Sequence, residues 1–247
     1  MQLTRLSLPR EQLQALQPED RRLLVLLGHV LNEVNTFDKL GYLCSLSFEG
    51  RGDWQDKANA AQAFILVRVL VGKLNEAWEA LQASYFKSKL STVYQAHLSE
   101  AELQALARLK QYFGRRNLLN LVRNEFSFHY DRDHAGTDVP EDASPEDLSL
   151  YLHIRPGSCL YYFADYLMNK ALVDAINPAN PDAALGILLE ELRTVIVDLN
   201  EFGLGVLHAI LDQKVDREAL AGSRATVRVT NAPSAQRKRV PYFVQLP

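Results

Sequence analysis

The sequence predicts an all-α fold: a bundle of long helices with a loop or small hairpin insertion and an extended basic C-terminal tail. Two observations carry this reading. Apolar residues recur at spacings of three and four over long stretches, the mark of helices that bury one stripe. Helix-start signals stand where those stretches begin, at Pro18-Glu19-Asp20, Asp53, Ser99-Glu100-Ala101-Glu102 and Pro181-Asp182. Each offers a cap, or an acid that favours the positive end of the helix dipole.

Taken in order, the helix opened by Pro18 extends to about Leu46, with Leu23, Leu26, Leu27, Val30, Leu31 and Val34 on its apolar stripe. Gly50-Arg51-Gly52 breaks it. Asp53 caps another long helix, to roughly Tyr85, with Ala63, Leu66, Val67, Leu70, Leu74, Ala77, Trp78 and Leu81 inward. Lys87 to Leu98 reads as a bent continuation or a linker. Ser99 and Glu102 form a capping box for a helix ending near Gly114, and a further helix runs from about Arg116. Asp131 to Asp147 is a loop. Leu148 to Ile154 alternates weakly, as a hairpin strand would, and a helical turn after Ser144-Pro145 competes with that reading. Phe163 to Ile176 and Pro181 to about Val215 return to helical spacing. Gly203 and Gly205 inside the last helix cost about 1 kcal/mol each relative to alanine, which points to close helix packing or a kink. The expected organisation is one helical-bundle domain over 1–221 and a basic extended or disordered tail over 222–247.

The 247 residues are 47% apolar and 23% charged, as in a globular protein with a sizeable core. The net charge of -3 is uneven. Residues 222–247 carry Arg224, Arg228, Arg237, Lys238 and Arg239 and no acid, a local +5 that leaves -8 on residues 1–221. An acidic body argues against a duplex-DNA face, which needs many cations. Cys44 and Cys159 form no motif, and the plain expectation is a reducing compartment. The most apolar window is read as Phe64 to Val71, short and interrupted by Arg68, which predicts no membrane span and a cytoplasmic protein.

The run Arg123-Asn124-Glu125-Phe126-Ser127-Phe128-His129-Tyr130-Asp131 carries the most chemistry. Leu119, Val122, Phe126 and His129 share one helical stripe, and Asn120, Arg123, Ser127 and Tyr130 a more polar one beside it. Six residues at about 100° each set Arg123 and His129 about 120° apart on a straight helix, too far round to grip one phosphate. Either the helix ends or bends near His129, or a second copy of the motif completes the site. The residue types suit RNA cleavage: histidine moves protons near neutral pH, and the arginine fork holds phosphate oxygens as charge builds. Asn124 would orient backbone or substrate, Tyr130 would stack on a base, and Asp131 would fix an imidazole tautomer. Arg115 and Arg116, just before the helix, are expected RNA contacts. This chemistry asks for no metal and no cofactor.

Arg123-Asn124, four residues, then His129, in a helix late in a bundle, resembles the motif of HEPN domains. The longer phrase also resembles uncharacterised bacterial proteins of that class. The resemblance implies a metal-independent endoribonuclease acting on single-stranded RNA through 2′-OH attack. Arg123 and His129 are then the catalytic pair and Asn124 the polar companion, in a homodimer with facing motifs. It further implies a toxin or defence role, in which an antitoxin partner would be natural. Arg22 and His29 fit the looser pattern of a histidine five to seven residues after an arginine, but Leu23 follows Arg22 and no polar companion is present.

Two other readings compete. His129, Asp131, Asp133 and His134 offer four metal ligands within six residues, the basis of a metal-dependent hydrolase. The chain also reads as a non-catalytic helical interaction or regulatory module, with its basic tail as an arm. Trp54 and Trp78 are read as core or helix-face residues, and His97, His153 and His208 as solitary structural histidines.

Overall fold

The computed structural model describes residues 1–47, 53–127, 139–230, 232, 234 and 238–243. The protein is all-α: among the described residues helix accounts for 70% and strand for 5%. Strand β1 (Gln2–Arg5) is followed by α1 (Arg10–Ala15), α2 (Pro18–Ser45) and α3 (Trp54–Leu81). A π-helical turn at Gln82–Phe86 leads to α4 (Leu90–Gln95), α5 (Glu100–Phe113) and α6 (Leu118–Val122), and a second π turn occupies Arg123–Ser127. After a 3-10 turn at Pro156–Ser158 come α7 (Tyr162–Ile176), α8 (Pro181–Lys214), α9 (Arg217–Gly222) and β2 (Ala225–Arg228).

The long helices form where the caps and periodicity place them. Pro18 opens α2 with Glu19 and Asp20 in its first turn. Leu23, Leu27, Val30, Leu31 and Val34 are buried as expected, while Leu26 is half-buried. Asp53 caps α3 by accepting the N–H groups of Gln55 and Asp56 at 3.0 and 2.9 Å. Leu70, Leu74, Ala77, Trp78 and Leu81 are buried, whereas Ala63, Leu66 and Val67 are only half-buried; Ala58 and Ala61 take the inward positions near the start. The regular helix stops at Leu81 rather than Tyr85, because the backbone widens into a π turn that buries Tyr85 completely. The stretch Lys87 to Leu98 is a linker with one short helix, α4, anchored by buried Leu90 and Tyr94.

The helices contribute to two compact units. One comprises residues 1–33, 76–115 and 195–234. Its core is aromatic: Trp78 stacks on Phe113 at 4.9 Å between ring centres, and Tyr85 meets Phe202 edge-on at 5.6 Å. The Tyr94 hydroxyl donates to the buried Asp20 carboxylate at 2.6 Å. Arg108 on α5 forks onto buried Asp198 on α8, with contacts of 2.7 to 3.0 Å. The helix glycines serve close packing. A Cβ on Gly203 would lie 3.1 Å from a methyl of Leu31, and one on Gly205 would lie 2.4 Å from the Glu102 carboxyl carbon. Glu102 in turn accepts the Ser99 N–H at 2.6 Å, so the glycine leaves room for the capping box of α5.

Strands β1 and β2 pair antiparallel in this unit, Gln2 opposite Arg228 and Arg5 opposite Ala225. This pairing is not legible in the sequence: every residue of β1 is exposed, so no buried alternation marks it. The tail segment 225–228 is thus an ordered strand.

The second unit comprises residues 34–75, 116–194 and 235–247. Leu160 pairs with Tyr151 in one antiparallel bridge, with bonds of 2.7 and 2.8 Å. Just before it, Asp147 and Leu148 donate to the Ser144 carbonyl, so the helical turn and the hairpin element both form, one after the other. Lys57 on α3 binds Asp147 at 2.7 Å, and Arg68, which interrupts the apolar window of α3, meets Asp165 on α7 at 3.4 Å.

Helix α8 carries a longer apolar stretch than Phe64 to Val71, with a window of mean hydropathy 1.5. By length and composition alone it would cross a membrane, yet 56% of that window is buried within the protein, as in a core helix.

Two outcomes test these contacts. Alanine at position 205 gains about 1 kcal/mol of helix propensity but must displace Glu102, at a capping cost of about 1 kcal/mol. Gly205→Ala alone therefore leaves the urea unfolding free energy near that of wild type. In a Glu102→Ala background the same change stabilises by about 1 kcal/mol, and a cycle without coupling would refute the contact. For Asp147, burial works against the charge, but Lys57 and Ser144 outweigh it and hold the carboxyl below its ordinary range. A depressed carboxyl stabilises above its unfolded-state pKa, and that contribution fades as pH falls through the lower folded-state value. Asp147→Asn should cost about 1 to 2 kcal/mol at pH 7, with the gap to wild type closing below about pH 4; a gap independent of pH would contradict the pairing.

Candidate functional site

Helix α6 positions the described part of the Arg123 motif. It has five residues, too short to persist alone. Asn117 starts it, one residue later than the expected Arg116, because its side chain accepts the Asn120 N–H at 2.8 Å. Leu119 and Val122 are fully buried and Phe126 nearly so, which is the apolar stripe expected from spacings of three and four. Asn75, buried on α3, donates its amide to the carbonyls of Val71 at 3.0 Å and Leu119 at 3.2 Å. One side chain thereby ties α6 to α3.

The α-helix ends at Val122, and Arg123–Ser127 continues as a π turn. The Ser127 hydroxyl donates to the Val122 carbonyl five residues back at 3.1 Å, in step with the wider turn. Such turns recur at functional sites because they re-aim side chains relative to a regular helix. Arg123 is half-buried and Asn124 exposed. The guanidinium of Arg123 donates from Nη1 to the Oδ1 of its neighbour Asn124 at 3.1 Å, a contact open to solvent. Arg115 and Arg116 are exposed between α5 and α6.

His129, Tyr130 and Asp131 lie outside the described residues, as do Asp133 and His134 of the metal reading. Among the described residues, no group of three or more histidine, cysteine or carboxylate side chains is placed to hold a metal ion. The histidines read as solitary are engaged locally where contacts are seen: His153 accepts the Arg155 N–H at 3.0 Å, and His97 lies 3.4 Å from the Gln213 amide. Both cysteines are free thiols, and burial pushes Cys44 up.

A further constellation went unnoticed in the sequence. Described residues of the tail, 238–243, lie on the second unit beside the start of α3 and the Tyr151–Leu160 bridge. Trp54, taken as a core or helix-face residue, is 44% exposed and packs 5.5 Å from both Tyr151 and Phe243. Nearby, burial pushes Tyr162 up to about 12 and lifts Asp165 despite Arg68. The signal for this cluster was the aromatic ending Tyr242-Phe243, but its docking surface is assembled from segments far apart in the chain.

No family model matches this chain, and no curated protein and no solved structure matches it either.

Proposed function

We propose that the protein is a metal-independent endoribonuclease that cleaves single-stranded RNA by attack of a ribose 2′-OH on its neighbouring phosphate. The observation that supports this is the Arg123–Asn124 pair: a guanidinium bonded to its neighbour's amide at 3.1 Å, at the point where α6 widens into a π turn. A pre-oriented guanidinium stabilises the charge on a phosphorane without reorganising as the reaction proceeds. In this reading His129 removes or delivers the proton, Arg123 holds the phosphate, and Asn124 acts on the fork of Arg123 rather than on the substrate. Tyr130 and Asp131 support base and imidazole. Arg115 and Arg116 contact phosphates of the strand.

The reading further takes the active form as a homodimer with facing motifs, acting in the cytoplasm in a toxin-like or defence role, with an antitoxin as the regulating partner. Its products carry 2′,3′-cyclic phosphate and 5′-hydroxyl ends, because the 2′ oxygen displaces the 5′ oxygen of the next nucleotide.

Cleavage of end-labelled single-stranded RNA by the pure protein in EDTA tests this directly. Wild type should yield cyclic-phosphate ends. His129→Ala and Arg123→Ala should each lose about 100-fold or more, and Asn124→Ala about tenfold. No cleavage in EDTA at high protein concentration would sink the proposal, and activity restored only by Mn²⁺ or Zn²⁺ would favour the cluster of His129, Asp131, Asp133 and His134.

A further inference from the structure

The hairpin element of the second unit is apolar on both of its faces. Tyr151 and Leu160 pair across it through two main-chain bonds of 2.7 and 2.8 Å. The His153 N–H donates to Cys159 Sγ at 3.2 Å, and the Phe163 N–H donates to the Ser149 carbonyl at 3.0 Å. Residues 149–153 therefore run as one extended arm beside 159–163, and side chains alternate between faces along such arms. The inner face belongs to the core: Leu160 and Tyr162 are buried with Ala58 and Ala61, and Tyr151 packs against them. The outer face carries Leu150, Leu152 and, opposite Leu150, Tyr161. All three are exposed, Leu152 at 70%. Leu148, Ile154 and Phe163 extend this surface at its ends, and Ile154 is 93% exposed.

An antiparallel pair with one face on a core ordinarily turns polar residues outward. Here the outward positions are apolar, and no charged side chain stands among them. At roughly 150 to 200 Å² for a large apolar side chain, the six exposures amount to on the order of 600 Å². That reaches the upper end of the largest patch on a typical lone protein, about 300 to 600 Å². It approaches the roughly 800 Å² that each partner buries in a standard interface, whose core is depleted of charge in the same way. The charges lie around the face. Glu146 and Arg155 stand at opposite ends of the arm, and Glu141, Asp142 and Asp147 also precede it. Four acids beside one arginine repel an anionic membrane surface, which basic residues attract. A two-fold axis that reverses the arm instead brings the acidic end of one copy to Arg155 of the other.

We propose that this face is the interface between two copies of the chain, packed hairpin on hairpin about a two-fold axis, with Leu150, Leu152, Ile154 and Tyr161 at its centre. A two-fold interface needs one self-complementary patch, and an uncharged apolar face with opposite charges at its two ends meets that need. The outward side chains of one copy interdigitate with those of the other, as those of two packed sheets do. The inference names the face through which the homodimer of the nuclease reading forms. It stands on the exposed face rather than on cleavage, so self-association and RNA cleavage are separate readouts.

Sedimentation equilibrium of the full chain tests this. Wild type should reach twice the mass of one chain in the micromolar range. The double variant Leu152→Glu, Ile154→Glu should raise the dimer dissociation constant about 100-fold or more, since each change enters the interface twice. Val25→Glu, which puts the same charge on an exposed apolar position of α2, should leave that constant unchanged. Circular dichroism checks that each variant folds, and Leu152→Ser, with a weakening of about tenfold, carries the comparison where the double variant does not. A wild type that stays monomeric near millimolar concentration overturns the proposal, even where it binds anionic vesicles or another protein. A dimer that survives both glutamates overturns it equally. A dimer lost with the glutamates in a chain that cleaves no RNA upholds this interface and sinks the nuclease reading alone.

Discussion

The candidate RNA site rests on one buried amide. Helix α6 has five residues and the π turn after it has five more, so neither has enough backbone hydrogen bonds to hold itself in water. Asn75 donates to Leu119 of α6 and to Val71 on its own helix, and both bonds are shielded from solvent. A buried carbonyl left without a donor costs about 1 to 3 kcal/mol. The amide therefore holds α6 to α3 at one point, and Leu119, Val122 and Phe126 hold it along one stripe. Only with that stripe fixed does Arg123 occupy a defined position beside Asn124. The geometry of the guanidinium is inherited from a residue 48 positions earlier in the chain.

The same logic explains which features were legible in the sequence. Long helices announce themselves because period and cap are both local: Asp53 and Ser99 act where the residues alone place them, and the stripe of α6 is buried as its spacing predicts. The π turns were not legible, since their residues have no distinctive pattern; Tyr85 is carried inward by tertiary packing with Phe202, not by local preference. Ion pairs between Lys57 and Asp147, or Arg68 and Asp165, join residues 90 and 97 apart. Arg68 looked like a flaw in an apolar window because its partner lies on another helix. Strand β1 is exposed throughout, so burial left no trace in its pattern. At the candidate site, Arg123 and Asn124 were legible as a polar pair, whereas the bond between them depends on rotamers set by the turn.

Glu102 illustrates how sites and scaffold compete for the same atoms. Its carboxylate closes the capping box of α5, and it does so in the space a side chain on Gly205 would fill. Helix α8 accepts a glycine in mid-helix, with its cost of about 1 kcal/mol, so that α5 can start where it does. A fold that is simply a helical bundle acquires a function through such placements, not through the bundle itself.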